Sequence, residues 1–166
     1  AIESDWLQRD NEGLILIVGR ESLLGQQLAS GKTEHVKQTL GEWKRLFGDR
    51  LYIEITRTQR DGEQDFNAAA IRLAAEYDLP LLASNDVRFL EREDFSAHEA
   101  RVCISSGRVL DDPKRPRDYS AEQYLKSPEE MQELFSDIPE ALQNTVELAK
   151  RCNYELNLGT YYLPQF

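Results

Sequence analysis

Three short apolar runs, separated by stretches of helical periodicity, constrain this chain more than any other feature. The runs are 13–19 (Gly-Leu-Ile-Leu-Ile-Val-Gly), 51–56 (Leu-Tyr-Ile-Glu-Ile-Thr) and 80–84 (Pro-Leu-Leu-Ala-Ser). They are aliphatic and β-branched, and Gly, Pro or Asp residues bound them, as expected of buried strands. Between the first two, Thr33 is placed to cap a helix running toward Phe47, with Val36, Leu40, Trp43 and Phe47 on one face. Between the second and third, a helix over 64–77 carries Phe66, Ala70, Leu73 and Tyr77 on its apolar stripe. Strand, helix, strand, helix, strand predicts an α/β fold with parallel pairing through right-handed crossovers. Three strands do not close a barrel, which leaves a small open sheet or part of a larger barrel.

The second half is helical with one structured loop. Phe95 to Ser106 reads as a helix that stops at Gly107, a good C-terminal cap. Residues 108–118 are polar, contain two prolines and form a loop by composition. Ser127-Pro128-Glu129-Glu130 combines a capping Ser, a Pro at the first helical position and a Glu three residues after the cap. Asp137-Ile138-Pro139-Glu140 is expected to start the last helix in the same way, turning Leu142, Val146 and Ala149 inward up to about Cys152.

Length and charge narrow the function classes. With 166 residues, 40% of them hydrophobic, the chain suits one globular unit. Thirty acidic against twenty basic residues give a net charge of −10, which repels phosphate backbones, so direct contact with nucleic acid is not expected. Cys103 and Cys152 are too few and too scattered for a disulfide framework and fit a reducing cytoplasm. No apolar run approaches the roughly 18 residues of a membrane span, and no signal-peptide pattern is present. The first residue is Ala1, the only methionine is Met131, and the last six residues are Tyr-Tyr-Leu-Pro-Gln-Phe. The expectation is a piece of a longer polypeptide.

The candidate chemistry lies at the end of the third run, Ser84-Asn85-Asp86-Val87-Arg88-Phe89. An acid directly after a buried strand is where α/β barrels present reactive groups. An Asp-x-His there would bring a carboxylate and an imidazole to one divalent ion. Arg88 stands in the imidazole's place, and a guanidinium has no lone pair for a metal. Arg88 is expected to pair with Asp86 or with Glu54. His98 is either a leftover ligand or a helix-face histidine hydrogen-bonded to a neighbour; the second is favoured, because a lone imidazole lacks convergent partners. His35 falls on a solvent face. Cys103, between Val102 and Ile104, reads as buried, and Cys152 beside Arg151 as structural. Gly107 and Gly159 are caps or turns. Lys114, Arg115 and Arg117 are flanked by Asp111, Asp112 and Asp118, which favours local ion pairing over a DNA contact. Trp6, Trp43, Tyr161, Tyr162 and Phe166 are expected in the core or against further domains.

Taken in order, several strings carry a family resemblance: Ser-Asn-Asp-Val-Arg-Phe, Leu-Asp-Asp-Pro-Lys-Arg-Pro-Arg, Lys-Ser-Pro-Glu-Glu-Met, Phe-Ser-Asp-Ile-Pro-Glu-Ala-Leu and Tyr-Tyr-Leu-Pro-Gln-Phe. From Trp6 to Phe166 the chain resembles the PHP (polymerase and histidinol phosphatase) domain of bacterial DNA polymerase III alpha subunits. The resemblance implies a distorted (β/α)7 barrel, of which residues 1–166 are the later portion. It also implies a parent DNA-directed DNA polymerase that uses Mg, with Zn or Mn only where the PHP site is active. In metal-binding relatives a Glu on the second strand is followed four residues later by a His; here these positions are Glu54 and Thr58. Asp86 matches the acid of the family's Asp-x-His, and Arg88 replaces its imidazole. The resemblance therefore implies a vestigial site at Glu54, Asp86, Arg88 and His98, with no catalytic residue, metal or cofactor in this segment. The expected role is a scaffold that joins the rest of the alpha subunit and docks the separate proofreading exonuclease subunit. The rival is a metal-dependent phosphoesterase or exonuclease of the PHP type. A sheet edge left open where earlier strands belong invites dimers of the isolated segment.

Overall fold

A computed structural model describes residues 4–155, 158–161 and 163. Among the described residues the elements run α1 (Ser4–Arg9), β1 (Leu16–Val18), α2 (Leu23–Ala29), α3 (Thr33–Phe47), β2 (Leu51–Thr56), α4 (Glu63–Tyr77), β3 (Leu81–Ser84), α5 (Phe95–Ser106), α6 (Pro128–Leu134) and α7 (Pro139–Arg151). The strands form one parallel sheet in the order β1-β2-β3, with Val18 opposite Ile53 and Ile55 opposite Ala83. The α/β expectation with parallel pairing holds at this level.

Alternation along the strands sorts the side chains. Val18, Leu51, Ile53, Ile55 and Ala83 face a core filled by Val36, Leu40 and Phe47 of α3 and by Phe66, Ala70 and Leu73 of α4, with Phe135 and Ala141 completing it. Tyr52, Glu54 and Thr56 alternate with these and belong to the opposite face.

The two outer strands meet different fates. On β3, the Thr145 hydroxyl accepts from the Ala83 amide at 3.2 Å and lies 3.0 Å from the Ala83 carbonyl. Asn144 Nδ2 donates to the Leu81 carbonyl at 3.0 Å. Side chains of α7 thus take the place of a fourth strand's ladder, satisfying backbone groups that burial would otherwise leave unpaired. Among the described residues β1 pairs with β2 alone.

Several expectations need correction. The first run forms strand only at Leu16–Val18. Its start is a turn, with Gly13 at φ 75° and the Leu14 amide donating to the Asn11 carbonyl, and the Arg50 guanidinium grips the Leu14 carbonyl. Thr33 is the first residue of α3 and not its cap; Lys32 occupies that place and makes no side-chain capping bond. Ser127 and Glu130 do form the reciprocal capping box on α6. Asp137 does not repeat it on α7, where Ile138 is the cap residue. Its carboxylate instead takes both terminal nitrogens of Arg57, at 2.6 and 2.7 Å, and this hydrogen-bonded cation holds its pKa below the ordinary value. Leu142 packs against the core as expected, but Val146 and Ala149 are exposed; Ala141, Asn144 and Thr145 complete the inner face of α7, because the sheet edge presents hydrogen-bonding groups there as well as apolar surface. The unanticipated α2 is capped by Ser22, whose hydroxyl accepts from the Gly25 amide at 3.0 Å. Gly25 sits so close to the Gly19 and Arg20 carbonyls that a Cβ there would collide with them. Trp6 and Tyr161 are exposed, at 48% and 94%, and so do not belong to the core, while Trp43 packs against its margin. Tyr162 and Phe166 lie outside the described residues.

Candidate functional site

Two acids lie beyond the carboxyl ends of β2 and β3, Glu63 at the start of α4 and Asp86 two residues after β3, and each is held by its own set of partners. Directly after β2, the chain turns through 57–62 and enters α4 at Glu63. Gln59 (φ 60°) and Gly62 (φ 72°) both adopt the left-handed conformation needed for this turn. Glu63 is 3% exposed, yet its carboxylate is fully engaged. Oε1 accepts from Thr56 Oγ1 at 2.6 Å and Thr58 Oγ1 at 2.7 Å; Oε2 accepts from the Thr58 and Gln59 amides at 2.7 and 2.8 Å. Thr58 is wholly buried in this box. Its hydroxyl also accepts from Arg60 Nε at 2.9 Å.

Asp86 follows β3 with φ 42°, a conformation a short polar residue tolerates when its surroundings hold it. Gln123 is the holder. Its side chain is completely buried; Nε2 lies 3.1 Å from the Asp86 carbonyl and 2.9 Å from Oδ2, while Oε1 accepts from the Ser120 amide at 3.0 Å. Two guanidiniums then take the carboxylate. Arg88 Nη2 lies 2.7 Å from Oδ1, and Arg60 Nη1 lies 3.1 Å from Oδ2. The expected pairing of Arg88 is with Asp86 and not with Glu54. Arg88 also stacks over Tyr119, 5.5 Å from the ring centre.

Glu54 stays apart from these cations. Its Oε1 accepts from Ser84 Oγ at 2.6 Å, and its other oxygen packs so tightly on Gly19 that any side chain there would displace it. A side chain at Gly19, the residue after β1, would push the flexible end of the Glu54 carboxylate aside. His98, on α5, is 7% exposed and packs edge-on against Tyr119 with a centroid separation of 4.7 Å, with Phe89 5.5 Å away. Its Nε2 has no hydrogen-bond partner, contrary to the expectation for a satisfied helix-face histidine. Burial, then the nearby Arg101, push its pKa below the ordinary value; Glu99 opposes them, and Arg88 adds a smaller push in the lowering direction. His98 meets the site through Tyr119, which the Arg88 guanidinium covers, and through Phe89, the residue after Arg88.

Among the described residues no three His, Cys, Asp or Glu side chains converge around one point where a metal ion would sit. The donor chemistry does not fit such an ion either. Both oxygens of Asp86 face fixed cations, and Thr58 offers only a hydroxyl already committed to Glu63. What the arrangement does is cross-link: the turn after β2, the end of β3 and the return segment 119–125 meet at Asp86. Asn85 Nδ2 adds bonds to the Glu122 and Tyr124 carbonyls at 2.9 and 2.7 Å. Glu63, Arg60 and Gln123 were not anticipated. A pair of arginines following β2 is a visible signal for Arg60; Gln123, one of several polar residues in a loop, offers none.

Elsewhere, Arg115 of the basic cluster pairs with Glu99 on α5 and not with a flanking aspartate, Asp112 pairs with Arg108, and among the described residues Lys114 and Arg117 form no ion pair. Cys103 is buried, Cys152 is exposed, and both are free thiols. His35 is exposed.

No family model matches the chain. Sequence comparison finds relatives instead. The chain is similar throughout to DNA polymerase III subunit alpha. It is 55% identical over 166 residues to that subunit from Xylella fastidiosa strain Temecula1, covering 100% of the chain. Against DNA polymerase III subunit alpha from Pseudomonas aeruginosa and from Escherichia coli K12 the identities are 54% and 52%, each over 99% of the chain. In each case the chain spans 14% of the length of the DNA polymerase III alpha subunit it matches.

Proposed function

We propose that this chain is a segment of a DNA polymerase III alpha subunit, the later portion of its PHP domain, and that its role is structural. In this reading the three-stranded sheet is part of a distorted (β/α)7 barrel. The parent enzyme carries out Mg-dependent nucleotidyl transfer in the cytoplasm with residues outside this segment. The segment supports that enzyme and offers a docking surface to the proofreading exonuclease subunit. Among the described residues no helix is long and apolar enough to cross a membrane. The net charge of −10 argues against direct DNA contact and is compatible with a protein partner.

The observation that carries the structural reading is the state of Asp86, with Arg60 and Arg88 on its two oxygens. A hydrolytic metal site needs an open coordination position and unpaired donors to activate water. Here the acid is neutralised by groups that cannot dissociate from the protein. The test is purification of the full-length alpha subunit without chelators, followed by elemental analysis and titration with the exonuclease subunit. The expected result is no stoichiometric Zn or Mn, and association at micromolar concentration or below. The rival metal-dependent phosphoesterase draws support from Glu54, a carboxylate free of cations on the neighbouring strand. Stoichiometric Zn or Mn together with phosphoester hydrolysis lost on adding EDTA would establish that rival.

A further inference from the structure

Arg60 is the more enclosed of the two cations on Asp86: its side chain is 9% exposed, against 40% for Arg88. Three directions of its guanidinium are used. Nε donates to Thr58 Oγ1 at 2.9 Å, and Nη1 lies 3.1 Å from Asp86 Oδ2 and 3.3 Å from Glu21 Oε1. Those partners come from three separate segments: the turn after β2, the end of β3, and the connection from β1 to α2. Two of these partners are themselves anchored, while Glu21 is exposed. Thr58 is fixed by buried Glu63, and Asp86 by Gln123. Ser120 Oγ donates to the Thr58 carbonyl, and Arg20 Nη2 donates to the Asp61 carbonyl at 2.5 Å.

We propose that Arg60 is the positioning residue of this rim, an internal cation that binds the loops at the carboxyl end of the sheet to one another. The inference rests on the structural reading above and deepens it. A divalent ion stabilises such a rim by drawing oxygens from separate loops onto one charge. A planar, permanently charged guanidinium with several donors does the same without a free coordination position. Arg88 is the lesser member, since its charge is more open to water and is screened there. The rim is thus cross-linked through charge yet chemically closed, and Arg60 determines both properties through Asp86.

Hydrogen exchange of the full-length alpha subunit, followed in peptides covering 57–63, 84–89 and 119–125, tests this assignment. Arg60→Met is expected to speed exchange in all three segments by about tenfold or more, because it strands a partly buried carboxylate. Arg88→Met should produce a smaller change, and Arg60→Lys, which keeps the charge, should recover part of the protection. If Arg60→Met does not fold, the near-isosteric Asp86→Asn replaces it, with acceleration expected in 57–63 as well as 119–125. Acceleration confined to the mutated loop, in either variant, overturns the assignment. Metal analysis of the unmutated subunit separates the two levels. Stoichiometric Zn or Mn defeats the structural reading, whereas a metal-free protein whose distant segments ignore Arg60→Met defeats the role of Arg60 alone.

Discussion

Glu63 and Asp86 follow adjacent strands, Glu63 buried at the start of α4 and Asp86 with its side chain 23% exposed, and they are satisfied by opposite means. Glu63 receives four hydrogen bonds from neutral donors, all within residues 56–59. Asp86 receives two guanidiniums and an amide from Arg60, Arg88 and Gln123, two of them distant in sequence. The first is a local turn motif that builds itself as α4 nucleates. The second exists only after three segments have come together. A buried carboxylate wrapped in backbone amides stabilises one loop, whereas one clamped by arginines ties several loops to each other.

That contrast can be broken by substitution. Glu63→Gln should have the largest effect, about 3 kcal/mol of unfolding free energy, because its new amide would face donors in a buried site. A urea midpoint within error of the parent's would show that the box is not the anchor it is taken for. Gln123→Ala is expected to cost about 2 kcal/mol, since it removes the only amide on Asp86 and leaves a buried gap. Amide exchange at 119–125 should rise with it. Asp86→Asn should cost about 1–2 kcal/mol at low ionic strength, and the penalty should shrink near about 1 M salt while that of Glu63→Gln persists. Equal salt responses would erase the distinction between the two acids. Arg88→Met is expected below about 1 kcal/mol, as suits a half-exposed ion pair.

The mildest probe is pH. His98 has its pKa lowered by burial and by Arg101, so its folded form favours the neutral ring. The unfolded chain binds a proton below the ordinary value of 6.5 that the folded chain resists. Stability should therefore be intact above 6.5 and fall as pH drops toward the lowered folded value. His98→Gln should flatten that part of the curve, and an unchanged slope would show that the imidazole is not the group responsible.

Much of the fold was legible from the chain. The strands at 51–56 and 81–84 and the helices α3, α4 and α5 follow from apolar period and from punctuation by Gly and Pro, which act over a few residues. The Arg88–Asp86 pair was legible for the same reason, because the residues are two apart on one loop. The strand at 13–19 was read too long because an apolar run does not reveal that Arg50 pulls its first half into a turn. The inner face of α7 was misassigned because Asn144 and Thr145 are inside it to serve strand backbone, a demand that hydrophobic periodicity does not record.

The amino-acid order alone determined the alternation of strand and helix, the parallel sheet that it entails, and a guanidinium, Arg88, two residues after Asp86. Those are consequences of local backbone preference, burial period and side-chain chemistry. Only the tertiary structure decided that Arg60 and Gln123 share Asp86, that Glu63 fills the turn after β2, and that α7 seals the edge of β3. These contacts join residues tens of positions apart. Their energy depends on distance and shielding from water, neither of which exists until the chain has folded.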